Sequence, residues 1–88
     1  MIGLLPGSFI EIARVGDVLR AFNMSQAEYE DDIRHIMKNC VVLMMEAHEI
    51  FKERMNFLIV MYKRRGLAES DAIRRARESK EVLWFGPN

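Results

Sequence analysis

Cys40, Met44 and His48 stand four residues apart, so on a helix they follow one another along one side. Thiolate, thioether and imidazole are soft or borderline ligands of the kind that hold Cu(I) or Zn(II). The spacing works against one shared ion, because residues at i and i+8 lie about 12 Å apart along a helix axis. A metal there would need ligands from elsewhere, and His35 falls on a different, polar face. A small thiol, an adaptable methionine and a histidine at the edge of a core account for the trio by ordinary packing. No metal site and no cofactor is therefore assigned, and a helical metal or small-ligand sensor centred on Cys40 and His48 is kept as the last alternative.

A second set of residues is basic. Lys63, Arg64 and Arg65 precede Gly66, and Arg74, Arg75, Arg77 and Lys80 follow it. Grouped round one turn they would meet a phosphate backbone, so a nucleic-acid-binding regulator is the first alternative reading. The formal net charge is +0, and Glu69, Asp71, Glu78 and Glu81 interleave with the arginines. That balance also fits a solvated helix surface. The cluster Glu28, Glu30, Asp31 and Asp32 suits the positive end of a helix better than it suits a metal. No Gly-rich phosphate loop, serine elbow, HExxH or CxxC spacing occurs, which reads as a non-enzyme. The stretch SQAE opens like a scanning helix of a helix-turn-helix, but no short second helix, turn and recognition helix follow.

Methionine and tryptophan carry the remaining signals. Met37, Met44, Met45, Met55 and Met61 make a plastic surface for partner helices where exposed, and fill a core where buried. Trp84 and Phe85 end the run VLWF and serve either to anchor the last helix or as a partner hot spot.

The elements that must position these residues are helices. Neither glycine nor proline occurs between Asp17 and Arg65, and strand alternation is missing. Ser8 with Glu11 makes a capping box for a first helix over 8–22, bearing Phe9, Ile12, Val15, Leu19 and Phe22 on one face. Asn23-Met24 ends it, and Ser25 with Glu28 opens the next. Nothing then stops that helix before Gly66, a natural glycine stop behind three basic residues. The pattern predicts one central helix over 25–65, about 40 residues and roughly 60 Å long, with a third helix over 68–84. The fold class is all-α: three helices in one domain, 1–88.

Apolar residues spread over about 140° of the long helix, with Asp32, Asn39, Glu46 and Glu53 on the far side. That arc is wider than a two-stranded seam needs, and fits packing on the flanking helices and on a second copy. The expected homo-oligomer interface comprises Ile36, Cys40, Leu43, Met44, Ile50, Phe51, Phe57 and Leu58, the simplest assembly being a dimer. A monomer would instead require a kink near 53–56.

An 88-residue chain with a single cysteine excludes an internal disulfide framework and points to a reducing compartment. The apolar N-terminus has no basic n-region and is interrupted by Pro6-Gly7, and Met55–Tyr62 is too short to span a bilayer. The expected protein is thus cytoplasmic, complete and without a membrane partner. It is a small helical interaction protein of adaptor or inhibitor type, such as bacteria, phages or mobile elements use as accessory factors. It binds itself and another protein. The residues expected to touch a partner or nucleic acid are Lys63, Arg64, Arg65, Arg74, Arg75, Arg77, Trp84 and Phe85.

Overall fold

The computed structural model describes residues 15–85, apart from the side chains at 81 and 82. Ser8, Phe9, Glu11 and Ile12, expected to begin the first helix, lie outside the described residues. Among the described residues the regular elements are all helical. They are α1 over 15–21, α2 Gln26–Cys40, α3 Met44–Arg64, α4 Glu69–Glu78 and α5 Lys80–Phe85. No helix among them is long and apolar enough to cross a membrane.

Three helices end by the same device. Asn23 (φ 52°), Val41 (φ 54°) and Gly66 (φ 102°) each enter the left-handed region. In each case the next residue's N–H then reaches five residues back. Met24 donates to the Leu19 carbonyl at 3.0 Å, Val42 to Met37 at 3.2 Å and Leu67 to Tyr62 at 3.2 Å. This is the Schellman pattern, which satisfies carbonyls that the helix end leaves open. Asn23 and Gly66 are residue types that tolerate such a backbone, and both stops fall where the sequence indicates.

Val41 does not tolerate it easily, and it overturns the single helix expected over 25–65. A β-branched residue at positive φ is a steric outlier. Here it divides that segment into α2 and α3, joined by the short corner Val41–Leu43. The kink anticipated near 53–56 is absent, since α3 runs unbroken through it. The helix expected over 68–84 is also divided, at Ser79 (φ −94°, ψ 48°). Ser79 Oγ donates to the Arg75 carbonyl at 3.1 Å and lies 3.2 Å from the Tyr62 hydroxyl. The start of α2 falls where the sequence indicates, whereas the start of α3 at Met44 falls inside the helix expected over 25–65. Ser25 Oγ accepts from the Glu28 N–H at 3.1 Å, and Glu46 accepts from the Leu43 N–H at 3.2 Å.

The corner at Val41 returns the chain so that α3 packs on α2 instead of extending from it. Phe51, fully enclosed, meets Phe22 and Tyr29 edge-on at centroid distances of 5.9 and 5.5 Å. Ile33, Ile36, Met55 and Leu58 complete this core. Ala72 and Ala76 of α4 are buried with Tyr62 of α3, their small side chains letting the two helices approach closely. Leu83 of α5 closes the remaining side at 1% exposure.

Candidate functional site

The only described carboxylate that is buried, Asp32, belongs to a polar cluster formed by α2, α3 and α5. The periodicity puts Asp32 on the solvent side of a long helix, but it is fully enclosed. The reason is Trp84, brought from α5. Its indole N–H donates to Asp32 Oδ1 at 3.1 Å, and its ring stacks on His35 with centroids 3.8 Å apart. Burial raises the Asp32 pKa above the ordinary carboxylate value. The Trp84 hydrogen bond and the positive charge of Lys80 counter part of that rise, while Glu28 and Asp31 add to it.

Arg54 holds the same element from the other side. Its guanidinium donates to the Leu83 and Trp84 carbonyls at 2.7 and 2.8 Å. A cation thereby meets the carbonyl end of α5, where the peptide dipoles leave partial negative charge. Cys40 Sγ lies 3.7 Å from the same guanidinium and 3.8 Å from the Trp84 carbonyl oxygen. Glu28 adds ion pairs to Arg77 at 2.7 Å and Lys80 at 3.6 Å. Trp84 thus docks within its own chain, while Phe85 remains 65% exposed.

Cys40, Met44 and His48 are not one helix side. Cys40 is the last residue of α2 and faces Trp84, Met44 is exposed at the first turn of α3, and His48 is buried. His48 Nδ1 is hydrogen-bonded to the Tyr29 hydroxyl. Among the described residues no three His, Cys, Asp or Glu are arranged to hold a metal ion. A groove of about 610 Å³ beside this pair is lined by Leu19, Ile33, Met37 and Met44 among others. Val15, where the chain enters from the undescribed segment, forms part of its wall, so the groove is not counted as a free surface, apart from Met44, which is 61% exposed beside the α2–α3 corner.

The basic residues divide by partner. Lys63 pairs with Glu69 at 3.8 Å, Arg74 with Asp71 at 3.0 Å and Glu78 at 3.9 Å, and Arg77 with Glu28. Arg65 and Arg75 sit over the Tyr62 ring at 5.8 and 5.3 Å. Arg64, Arg65 and Arg75 around the Gly66 turn are the residues of the expected patch left without an ion-pair partner among the described residues.

The apolar arc also divides in two. Ile36, Phe51 and Leu58, expected at an oligomer interface, are enclosed by the chain's own core, because the Val41 corner folds α3 onto α2. Cys40 and Ile50 are half-buried against that core. Leu43, Met44 and Phe57 do reach solvent, at 74%, 61% and 50% exposure. Val41 and Met45 join Leu43 and Met44 at the corner, and Val60 joins Phe57 on the outer side of α3. Glu53 and Arg64 extend that outer row at helical spacing, and a helical wheel restricted to α3 would have revealed it. Chemically, both surfaces offer apolar contact, and the outer row of α3 adds charge pairing. Comparison of the chain with protein-family models, curated proteins and solved structures finds no match.

Proposed function

We propose that this chain is a non-enzymatic helical interaction protein, of adaptor or inhibitor type, that acts by associating with itself and by docking on a second protein. The observation that carries the reading is the α2–α3 corner. Val41, Leu43, Met44 and Met45 stand 57–89% exposed on a chain that already encloses a core of larger side chains. Clustered exposed apolar side chains mark interaction sites on small soluble domains. Two of the four are methionines, whose unbranched stems adapt to a partner's contours. The occupant that fits is a protein presenting an apolar helix face, since the corner itself offers no charge for a phosphate.

The test uses the tagged chain and its Leu43→Ser/Met44→Ser variant, expressed in the native host. Captured proteins are identified and then rebuilt into complexes from purified components. The expected result is a protein that binds the wild type at least about tenfold more tightly than the variant, with both chains melting alike. Equal binding by both chains overturns the reading. So does capture of nucleic acid alone, lost on raising salt, which identifies the Gly66 turn as the working surface.

A further inference from the structure

The outer face of α3 carries a row of four residues, Glu53, Phe57, Val60 and Arg64, spaced four, three and four apart. At 100° per residue they fall within an arc of about 60°. The arc lies nearly opposite Phe51, Met55, Leu58 and Tyr62, which α3 turns to the core. Phe57 and Val60 are 50% and 47% exposed. A surface depression of about 620 Å³ runs along the row, bordered also by Asn56, Met61 and Arg65, whose guanidinium lies over the Tyr62 ring. Four-three-four is the spacing of a seam between two paired helices.

The order of residue types identifies the occupant. The row reads acid, apolar, apolar, base, and its midpoint lies between Phe57 and Val60. Reversed in direction it presents base, apolar, apolar, acid, which complements the original at every position. We propose that α3 pairs with α3 of a second copy, antiparallel about a twofold axis at that midpoint. Phe57 then faces the partner's Val60, and Glu53 faces the partner's Arg64. The parallel arrangement sets acid against acid and base against base, so charge selects the antiparallel one.

The state of the two charges supports this pairing. Neighbouring Lys52 pairs with Glu49 and Lys63 with Glu69, whereas neither Glu53 nor Arg64 has an ion-pair partner among the described residues. Both are exposed, and they lie about 17 Å apart along the helix with Phe57 and Val60 between them. A seam with two apolar residues from each chain makes a small interface, so the dimer is weak and reversible.

This inference rests on the reading of the chain as a self-associating interaction protein, but it assigns self-association to α3 and leaves the α2–α3 corner to the second protein. Sedimentation equilibrium on the full chain, from about 5 to about 500 µM at low salt, tests it across the concentrations where weak dimers form. The wild type is expected to show a monomer–dimer equilibrium. Glu53→Arg and Arg64→Glu should each weaken it about tenfold, and the double reversal should restore it. Phe57→Ser should abolish it, and Leu43→Ser/Met44→Ser should leave it unchanged. Far-UV circular dichroism of each variant confirms that the exposed substitutions preserve the helices. A monomeric wild type throughout, or a double reversal no stronger than the single ones, refutes the pairing. Loss of the dimer in the corner variant also refutes it, and transfers self-association to the corner.

Discussion

Replacing Asp32 by Asn keeps the side chain's shape and the oxygen that accepts the Trp84 indole N–H, while removing an ionisable group from the enclosed interface of α2 and α5. Asp32 Oδ2 has no hydrogen-bond partner among the described residues, so its charge is compensated through one oxygen alone. Burial therefore raises the folded-state pKa above 3.8, against the opposing Trp84 hydrogen bond and Lys80 charge. The direction fixes the sign of the pH dependence. Between the unfolded value and the raised folded value, the folded protein binds more protons than the unfolded one, so stability falls as pH rises. The contribution is fully present below the unfolded pKa and is lost once pH passes the folded one. One proton gives a slope of about 1.4 kcal/mol per pH unit across that interval. The assay is urea unfolding of wild type and Asp32→Asn at half-unit steps from about pH 4 to about pH 8, bracketing the ordinary carboxylate range. The stability difference, Asn minus Asp, should rise at that slope and then level off. Contributions from groups remote from Asp32, such as the Arg74 pairs with Asp71 and Glu78, cancel in the difference. A flat difference, or one that moves in favour of Asp as pH rises, refutes the account of Asp32 as a carboxylate held against its own ionisation.

Two further outcomes test the fold that creates these surfaces. Val41→Gly should raise stability by about 1 kcal/mol, because relief of left-handed strain, of order 1–3 kcal/mol, exceeds glycine's extra entropy cost of roughly 0.5–1 kcal/mol. Val41 is 89% exposed, so little packing is lost; a lowered melting temperature would show that it is not strained. Phe51→Ala should cost about 3–5 kcal/mol by leaving a core cavity, whereas Phe57→Ala, six positions along the same helix, should cost less than about 1 kcal/mol in the monomer. Urea midpoints at low micromolar concentration compare the two, and equal losses would mean that α3 does not divide into a core face and an outer face.

Features carried by a single residue type were legible in the sequence. Ser25 caps α2 and Gly66 ends α3 because a hydroxyl acceptor and a missing Cβ have local consequences. The break at Val41 was not legible, since neither glycine nor proline marks it and valine disfavours the backbone it adopts. The burial of Asp32 was hidden for a different reason. It depends on Trp84, 52 positions away, and α5 reaches it only after both the Val41 corner and the Ser79 break have formed. Periodicity found the core residues and Phe57 of the apolar arc but left out Val60 and Met45. It could not divide that arc between a core and an outer surface, because the division is set by where the chain turns back.

The turn at Val41 links the fold to the proposed role. A continuous helix would leave Phe51, Met55, Leu58 and Tyr62 without the covering surface of α2, and each large apolar side chain left in water forgoes about 1.5–3 kcal/mol. Burying that group against Tyr29, Ile33 and Ile36 outweighs the strain of one valine at φ 54°. Folding back has a second consequence. The apolar residues of the turn itself, Val41, Leu43, Met44 and Met45, are at the outside of the bend, where neither α2 nor α3 can cover them. The outer row of α3 is displayed because its opposite side is taken by α2 and α4. A single helix stop therefore creates the core and the docking corner, and a chain that straightened at Val41 would lose both while the outer row of α3 stayed in place. Val41→Gly separates these effects: it eases the bend without removing a core contact, so it should raise stability while leaving Phe57-dependent dimerisation at wild-type strength. Loss of the dimer in that variant would mean that the valine side chain belongs to the seam, and would refute the division of labour between corner and helix.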